Sequence, residues 1–286
     1  QMIAIRTRSG NSIEVTPNHR ILADTMYGPK MTRADALKKG DAILCLSKLD
    51  VKPSSFTFVD MLNEDFTLIV KREFLTTVKK RLRTQYGTVK KAAGELGFDY
   101  GRITNAKTML TVGDFRRLRS EFSEKVGLNA VRFISSVGGR GRKEIGFTHV
   151  NEDLLYLLGL VSSDGSLIYN QESAVSRVDF SNLNTVLIDT YRKKFRKLFP
   201  ATRLKQFLNQ SGVTILRADS KLYYCIAEFF GIKGGFERIF KLKENLISAF
   251  LRGYFDGDGY CNTGNKRIVY TMKEQLAATR IQQLLK

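Results

Sequence analysis

Apolar residues crowd most densely at two places along this chain. One is Leu157-Leu158-Gly159-Leu160-Val161-Ser162-Ser163-Asp164-Gly165; the other is Phe250-Leu251-Arg252-Gly253-Tyr254-Phe255-Asp256-Gly257-Asp258-Gly259-Tyr260. Runs this apolar predict buried helices. Each closes with a small residue, then Asp, then Gly, and the glycine predicts a helix stop at φ > 0. Small residues also recur four apart on one face, Gly159 with Ser163 and Gly253 with Gly257. Such a face lets two helices approach more closely than the usual ~8–10 Å between axes. If these two helices pack together, Asp164 and Asp258 arrive side by side at the negative pole of both helix dipoles. A divalent cation would remove that conflict.

Between the runs the hydrophobic period alternates between two and 3.6 residues. Residues 166–170 and 174–180 predict a hairpin, 183–199 an amphipathic helix rich in Lys and Arg, 204–208 and 213–217 a second hairpin, and 222–230 another helix. Asn151 is a candidate N-cap before Leu154. The order is αββαββα, and the four strands predict a sheet whose exposed face carries Arg177, Arg203, Lys205, Gln206 and Arg217. After the second run only one hairpin (260–270) and one helix (272–285) follow.

The first 47 residues are β-rich, with a hairpin signal at Ser9-Gly10-Asn11, then Thr16-Pro17-Asn18-His19 and another strand. Residues 31–44 predict a short helix, a glycine stop and a strand. Taken alone, Thr16 and His19 are a turn threonine and a surface histidine. Residues 48–70 are a mixed connector. In 89–107, Ala92, Leu96, Phe98, Ile103 and Ala106 are spaced to face inward and Gly97 supplies a turn, the pattern of a helix-turn-helix. Its outward residues are Lys90, Lys91, Tyr100, Arg102, Asn105 and Lys107, and Arg and Asn are side chains that read base edges. Residues 114–119 predict a supporting helix with phosphate-contacting arginines. A glycine-rich basic linker follows, with Arg140 and Arg142.

Charge sharpens this picture. The chain of 286 residues holds 47 Lys plus Arg against 28 Asp plus Glu, a net charge of +19. Between Lys71 and Glu144 alone there are 18 basic and 7 acidic residues. Such an excess points to a polyanion, and no basic amphipathic helix with a Trp/Phe-rich face points to a membrane. Nucleic acid is the expected partner. No apolar run approaches the ~20 residues of a membrane span. Cys45, Cys225 and Cys261 are scattered without metal-ligand spacing, which suits a reducing cytoplasm and makes a zinc site unexpected.

The two dense runs resemble the LAGLIDADG motif of homing endonucleases. LRGYFDGDG is a close match; LLGLVSSDG is looser, with Ser162 where the family often has an acidic residue, but it keeps the aspartate in the eighth position. The resemblance implies that Asp164 and Asp258 hold Mg²⁺, that the sheet lies in a groove of double-stranded DNA, and that a catalytic lysine precedes the second motif. Lys233 is the candidate and Arg238 the alternative. The order strand, Val-Thr-Pro-Asn-His, strand, Leu-Lys-Lys-Gly-Asp resembles an intein of the Hint fold, which implies splicing roles for Thr16 and His19 and host exteins around the chain.

Together these readings predict a multidomain α+β protein: a partial Hint domain (1–47), a helical DNA-recognition insert (48–147) and a LAGLIDADG endonuclease core (148–286) with an incomplete second half. The expected protein is a cytoplasmic monomer. Gln1 stands where splicing needs Cys or Ser, and Leu284-Leu285-Lys286 where it needs a final Asn. The expectation is a chain cut at both ends that does not splice and that binds DNA but nicks it slowly or not at all. Two rivals are a non-cleaving transcription regulator with a degenerate LAGLIDADG core and an RNA maturase. The presence of both aspartates argues against the first, and the intein-like opening against the second.

Overall fold

The structure is a computed structural model. It describes residues 2–8, 12–25, 28–44, 52–104, 109–122, 127–136, 142–173, 175–262, 267–270, 281, 284 and 285. The chain divides into two compact units, Gln1–Lys52 with Met272–Lys286, and Pro53–Thr271.

In the first unit, β1 (Ile3–Arg6) pairs antiparallel with β2 (Ser12–Val15). β3 (Arg20–Thr25) lies between β4 (Gly28–Arg33) and β5 (Ala42–Ile43). The helix predicted from Met31 does not begin there, because Met31 to Arg33 complete β4 instead. Their backbones are matched to β3, with Arg33 opposite Arg20, and only Ala34–Ala36 forms a 3-10 turn.

The second unit opens with β6 (Phe66–Val70), α1 (Arg72–Tyr86), α2 (Val89–Leu96), α3 (Tyr100–Thr104), β7 (Met109–Thr111), α4 (Val112–Glu121) and β8 (Val131–Ser136). β6 is the middle of an antiparallel sheet ordered β7-β6-β8. The expectation is a mixed connector followed by a helical insert; a three-stranded sheet accompanies those helices. Phe66, Leu68, Ile69 and Val70 are buried and only Thr67 is half-buried, so the strand lacks the alternation of a half-buried strand. Leu75, Val78 and Leu82 of α1, Ala92 of α2, Ile103 of α3 and Phe115 and Leu118 of α4 are buried with it. Thr88 caps α2 by accepting from Lys91 N, and Gly97 ends it at φ 69°. Asp99 Oδ1 then accepts from Gly101 N at the start of α3.

The remainder runs α5 (Glu152–Asp164), β9 (Gly165–Asn170), β10 (Val175–Asn182), α6 (Thr185–Leu198), β11 (Leu204–Leu208), β12 (Thr214–Asp219), α7 (Lys221–Phe229), α8 (Glu244–Asp258), β13 (Gly259–Asn262) and β14 (Arg267–Tyr270). The αββαββα order predicted from hydrophobic period is present over α5 to α7. Asn151, Asn184 and Ser220 cap α5, α6 and α7 through their side-chain oxygens. The sheet order is β11-β12-β10-β9, all antiparallel. One face buries Val178, Phe180, Leu216 and Ala218. An aromatic stack continues from it, with Phe180 4.6 Å from Tyr191 and Phe199 4.9 Å from Tyr223 between ring centres. The predicted helix over 272–285 falls almost entirely outside the described residues.

The two glycine-bearing helices meet backbone to backbone. A Cβ on Gly159 would stand 2.2 Å from Phe250 O, and one on Gly257 would stand 2.0 Å from Ser163 Oγ. The glycines after the helices correct one expectation. Gly165 (φ −109°, ψ 177°) and Gly259 (φ −77°, ψ 140°) are extended, because each helix passes directly into a strand. Glycine is needed there for closeness: a Cβ on Gly165 would lie 2.7 Å from Asp179 O, and one on Gly259 2.3 Å from Phe255 O.

Candidate active site

Asp164 is the last residue of α5 and Asp258 the last of α8. Because α5 and α8 touch along their glycine faces, both carboxylates come to one end of the pair. A Cβ on Gly257 would lie 3.4 Å from Asp164 Oδ2, which shows how near the final turn of α8 comes to that carboxylate. Burial pushes the Asp164 carboxyl above its ordinary range, opposed by a hydrogen bond from Asn182 and by the charge of Lys233. Burial also raises Asp258; the Asp164 charge raises it further, and Lys233 opposes both.

Two neighbours complete the arrangement. Asn182, at the end of β10, donates from Nδ2 to Asp164 Oδ2 at 2.6 Å. Lys233 donates from Nζ to Ser162 O at 2.7 Å and to Ser163 O at 3.2 Å. A lysine at the carbonyl end of α5 complements the helix dipole. Lys233 itself sits at φ 68°, a left-handed conformation unusual outside glycine. Of the two basic candidates, only Lys233 interacts with these carboxylates. Arg238 donates to Phe229 O at 2.6 Å and lies 4.2 Å from the centre of the Phe229 ring. Sequence reasoning missed Asn182, whose place depends on the β9–β10 register, with Phe180 opposite Gly165.

The donor set suits a hard cation. Two carboxylates and the carbonyl ends of two helices are all oxygen, the chemistry of Mg²⁺ or Ca²⁺ rather than of zinc. Among the described residues no group of three or more His, Cys, Asp or Glu side chains gathers, at this site or at any other. A two-carboxylate site leaves further positions for water and phosphate oxygens. A cleft of about 580 Å³, lined in part by Phe56, His149, Asp153, Lys197 and Lys243, lies at the opposite, N-terminal end of α5.

Arg177, Lys205 and Arg217 share the sheet face turned away from the helices, and exposed Arg203 lies just before β11. Gln206 does not join them. Strand alternation turns it to the other face, where it accepts from Arg192 of α6 at 2.7 Å.

Lys90, Lys91 and Tyr100 are exposed on α2 and α3. Arg102 is exposed but turned toward Asp99 (3.4 Å) and Asp114 (3.6 Å). Asn105, Lys107 and Arg140 lie outside the described residues; Arg142 is exposed. The arginines of α4, expected to touch phosphate, are engaged within the protein. Arg116 donates to Val59 O (2.7 Å) and Leu62 O (2.6 Å), Arg119 to Thr57 Oγ1 (3.1 Å), and Arg117 to Gly97 O. In the first unit, Thr16 and His19 are both exposed and close a turn through His19 N to Thr16 O at 3.0 Å.

Residues 245–286, a stretch that takes in most of α8 and Asp258, match the family model of the LAGLIDADG-like domain. The B subunit of the A-type ATP synthase of Methanopyrus kandleri is 31% identical over 290 residues, an alignment covering 99% of this chain and 28% of that protein. The chain thus spans little more than a quarter of that relative's length. Among solved structures, the chain is similar to mesophilic variants of the homing endonuclease I-DmoI, at 20% identity and a TM-score of 0.39 over 47% of this chain and 70% of that one. It is also similar to I-DmoI in complex with DNA and Ca (23%, TM-score 0.39, 47% and 70%) and to the N-terminal LAGLIDADG domain of DUF199/WhiA (16%, TM-score 0.34, 47% and 63%).

Proposed function

We propose that this chain is the DNA-cleaving part of an intein-type LAGLIDADG homing endonuclease, hydrolysing phosphodiester bonds in duplex DNA with Mg²⁺ held by Asp164 and Asp258. The observation that carries the reading is the carboxylate pair. Two aspartates end two helices in backbone contact, at negative helix poles, and both carboxyls are raised above their ordinary range. A bound cation would favour two carboxylates gathered at two negative helix poles. The LAGLIDADG-like match over residues 245–286 supports the same reading.

Bound between Asp164 and Asp258, Mg²⁺ would supply Lewis-acid stabilisation of the charge developing on the phosphate. Asn182 fixes the Asp164 carboxylate through its 2.6 Å hydrogen bond. Lys233 places a positive charge beside the two carboxylates, where it can stabilise developing negative charge or polarise the attacking water. The outer sheet face, with Arg177, Arg203, Lys205 and Arg217, holds the duplex, and residues 48–147 extend the contact through Lys90, Lys91, Tyr100 and Arg142. Residues 1–47, with Thr16 and His19, are the part of a splicing domain that precedes the endonuclease. On this reading the ATP synthase relative is a host protein interrupted by a stretch like this chain, and the protein acts in the cytoplasm as a monomer.

The test is to incubate the chain with a plasmid pool carrying candidate sites and Mg²⁺, then sequence the cut ends. Recurrent cleavage or nicking at one sequence, lost with EDTA and in Asp258→Asn, is the expected result. Cleavage that survives Asp258→Asn overturns the assignment.

A further inference from the structure

The outer face of the four-stranded sheet carries a pattern that phosphate attraction alone does not require. Arg177 of β10 stands directly opposite Asp219 of β12, and Arg217 of β12 directly opposite Asp179 of β10. Arg217 donates from Nε and Nη2 to the Asp179 carboxylate at 2.9 and 2.7 Å, and its guanidinium lies 4.9 Å from the centre of the Phe207 ring. Asp219 accepts from Arg177 Nε at 3.0 Å and from Lys205 Nζ at 2.7 Å. A surface that only gathered phosphate would carry cations without these aspartates, since each cancels a charge that phosphate would use.

What the aspartates supply is orientation. A guanidinium has five donors in a rigid fork. With its Nε side held by Asp179 and its plane beside Phe207, Arg217 keeps Nη1 and one Nη2 hydrogen free as a fixed pair of donors. That pair matches the N7 and O6 acceptors of guanine in the major groove. Arg177 is held more simply, through Nε alone to Asp219 Oδ1. The two arginines are offset by two residues along their strands, roughly 7 Å. That is the rise of about two base-pair steps, at ~3.4 Å each.

We infer that Arg217 and Arg177, each oriented by the aspartate opposite it, read guanines about two base pairs apart in the duplex this chain binds. The inference rests on the DNA-cleaving reading and adds a sequence feature to its substrate. Asp179 and Asp219 are positioning residues that act through the arginines.

Selection from a randomised duplex pool by the full chain, without divalent cation, followed by sequencing of the retained DNA, tests it. Guanine should be enriched at two positions about two base pairs apart. Arg217→Lys keeps the charge but loses the fork, and should lower enrichment at one position about tenfold while leaving the other. Arg177→Lys should do the converse. Asp179→Asn should relax the same position as Arg217→Lys without weakening binding to random duplex, a readout that a merely structural role would not move. Arg217→Gln serves as a second variant and should shift that position from guanine towards adenine. Enrichment unchanged in both lysine variants, or lost equally at every position, overturns the inference and leaves the DNA reading standing. A wild-type chain that retains no duplex overturns both.

Discussion

Gly253 of α8 lies directly against the carbonyl of Tyr156 in α5, where an added Cβ would stand 2.1 Å from that oxygen. This contact, with its counterpart at Gly159, brings the ends of the two helices together and so brings Asp164 and Asp258 to one place. Gly253→Ala should therefore destabilise the fold by ~1–3 kcal/mol or more, although alanine favours a helix over glycine by about 1 kcal/mol. Gly94→Ala in α2 is the control. Its new Cβ meets nothing within 4 Å, so it should stabilise by ~0.5–1 kcal/mol. Urea unfolding compares the two, and a Gly253→Ala protein as stable as Gly94→Ala would refute the backbone contact.

The carboxylate pair should leave a signature in the pH dependence of stability. Asp164 and Asp258 bind protons more tightly in the fold than in the unfolded chain. Their ionisation therefore weakens the metal-free fold above the ordinary carboxylate range, and the penalty lifts as pH falls towards ~4. Asp153, lowered by Lys194 and Lys197, behaves oppositely and loses its contribution as pH falls through its folded value. Asp164→Asn should raise the Tm of metal-free protein near neutral pH, with a gain that shrinks in acid. Mg²⁺ should raise the Tm of the wild type and leave the variant unchanged. A variant less stable than the wild type near neutral pH would contradict this.

Lys233 combines a left-handed backbone with a side chain at the candidate site. Lys233→Gly and Lys233→Met should both slow cleavage, by about a hundredfold, with little change in DNA affinity. The glycine variant should be the more stable of the two by ~1 kcal/mol, because glycine takes φ > 0 without strain. Arg238→Met should leave the cleavage rate unchanged. Equal slowing by the Lys233 and Arg238 variants would remove the assignment of Lys233.

Much of the endonuclease-like architecture was legible because its signals are local. Alternation gave the two hairpins, amphipathic spacing gave α6, and paired small residues gave the approach of α5 and α8. Three features were not local. β6 is buried along most of its length and so lacks the alternation that marks a half-buried strand. Asn182 reaches Asp164 only through the β9–β10 register, which period alone does not set. The partners of Arg116 and Arg119 are backbone and side-chain oxygens more than 50 residues earlier in the chain. A basic helix therefore looked like a phosphate binder.

The basic first part of the second unit should divide cleanly by salt dependence. Lys90→Ala and Lys91→Ala should each flatten the slope of log affinity against log salt by about 0.9 if each side chain meets one phosphate. Arg116→Met and Arg119→Met should instead cost stability, since they strand the oxygens they now satisfy, and should leave the slope alone. Fluorescence anisotropy at several salt concentrations checks both halves of the prediction.

On the DNA-cleaving reading, Asp164 and Asp258 serve one shared centre. Its most direct test is the cleavage rate, in Mg²⁺ and on a selected site, of Asp164→Asn, Asp258→Asn and the double variant. Residues that act as a unit lose nearly everything with the first substitution, so each single variant should be as inactive as the double. Single variants that keep wild-type cleavage, or losses that multiply independently in the double variant, would contradict the shared centre.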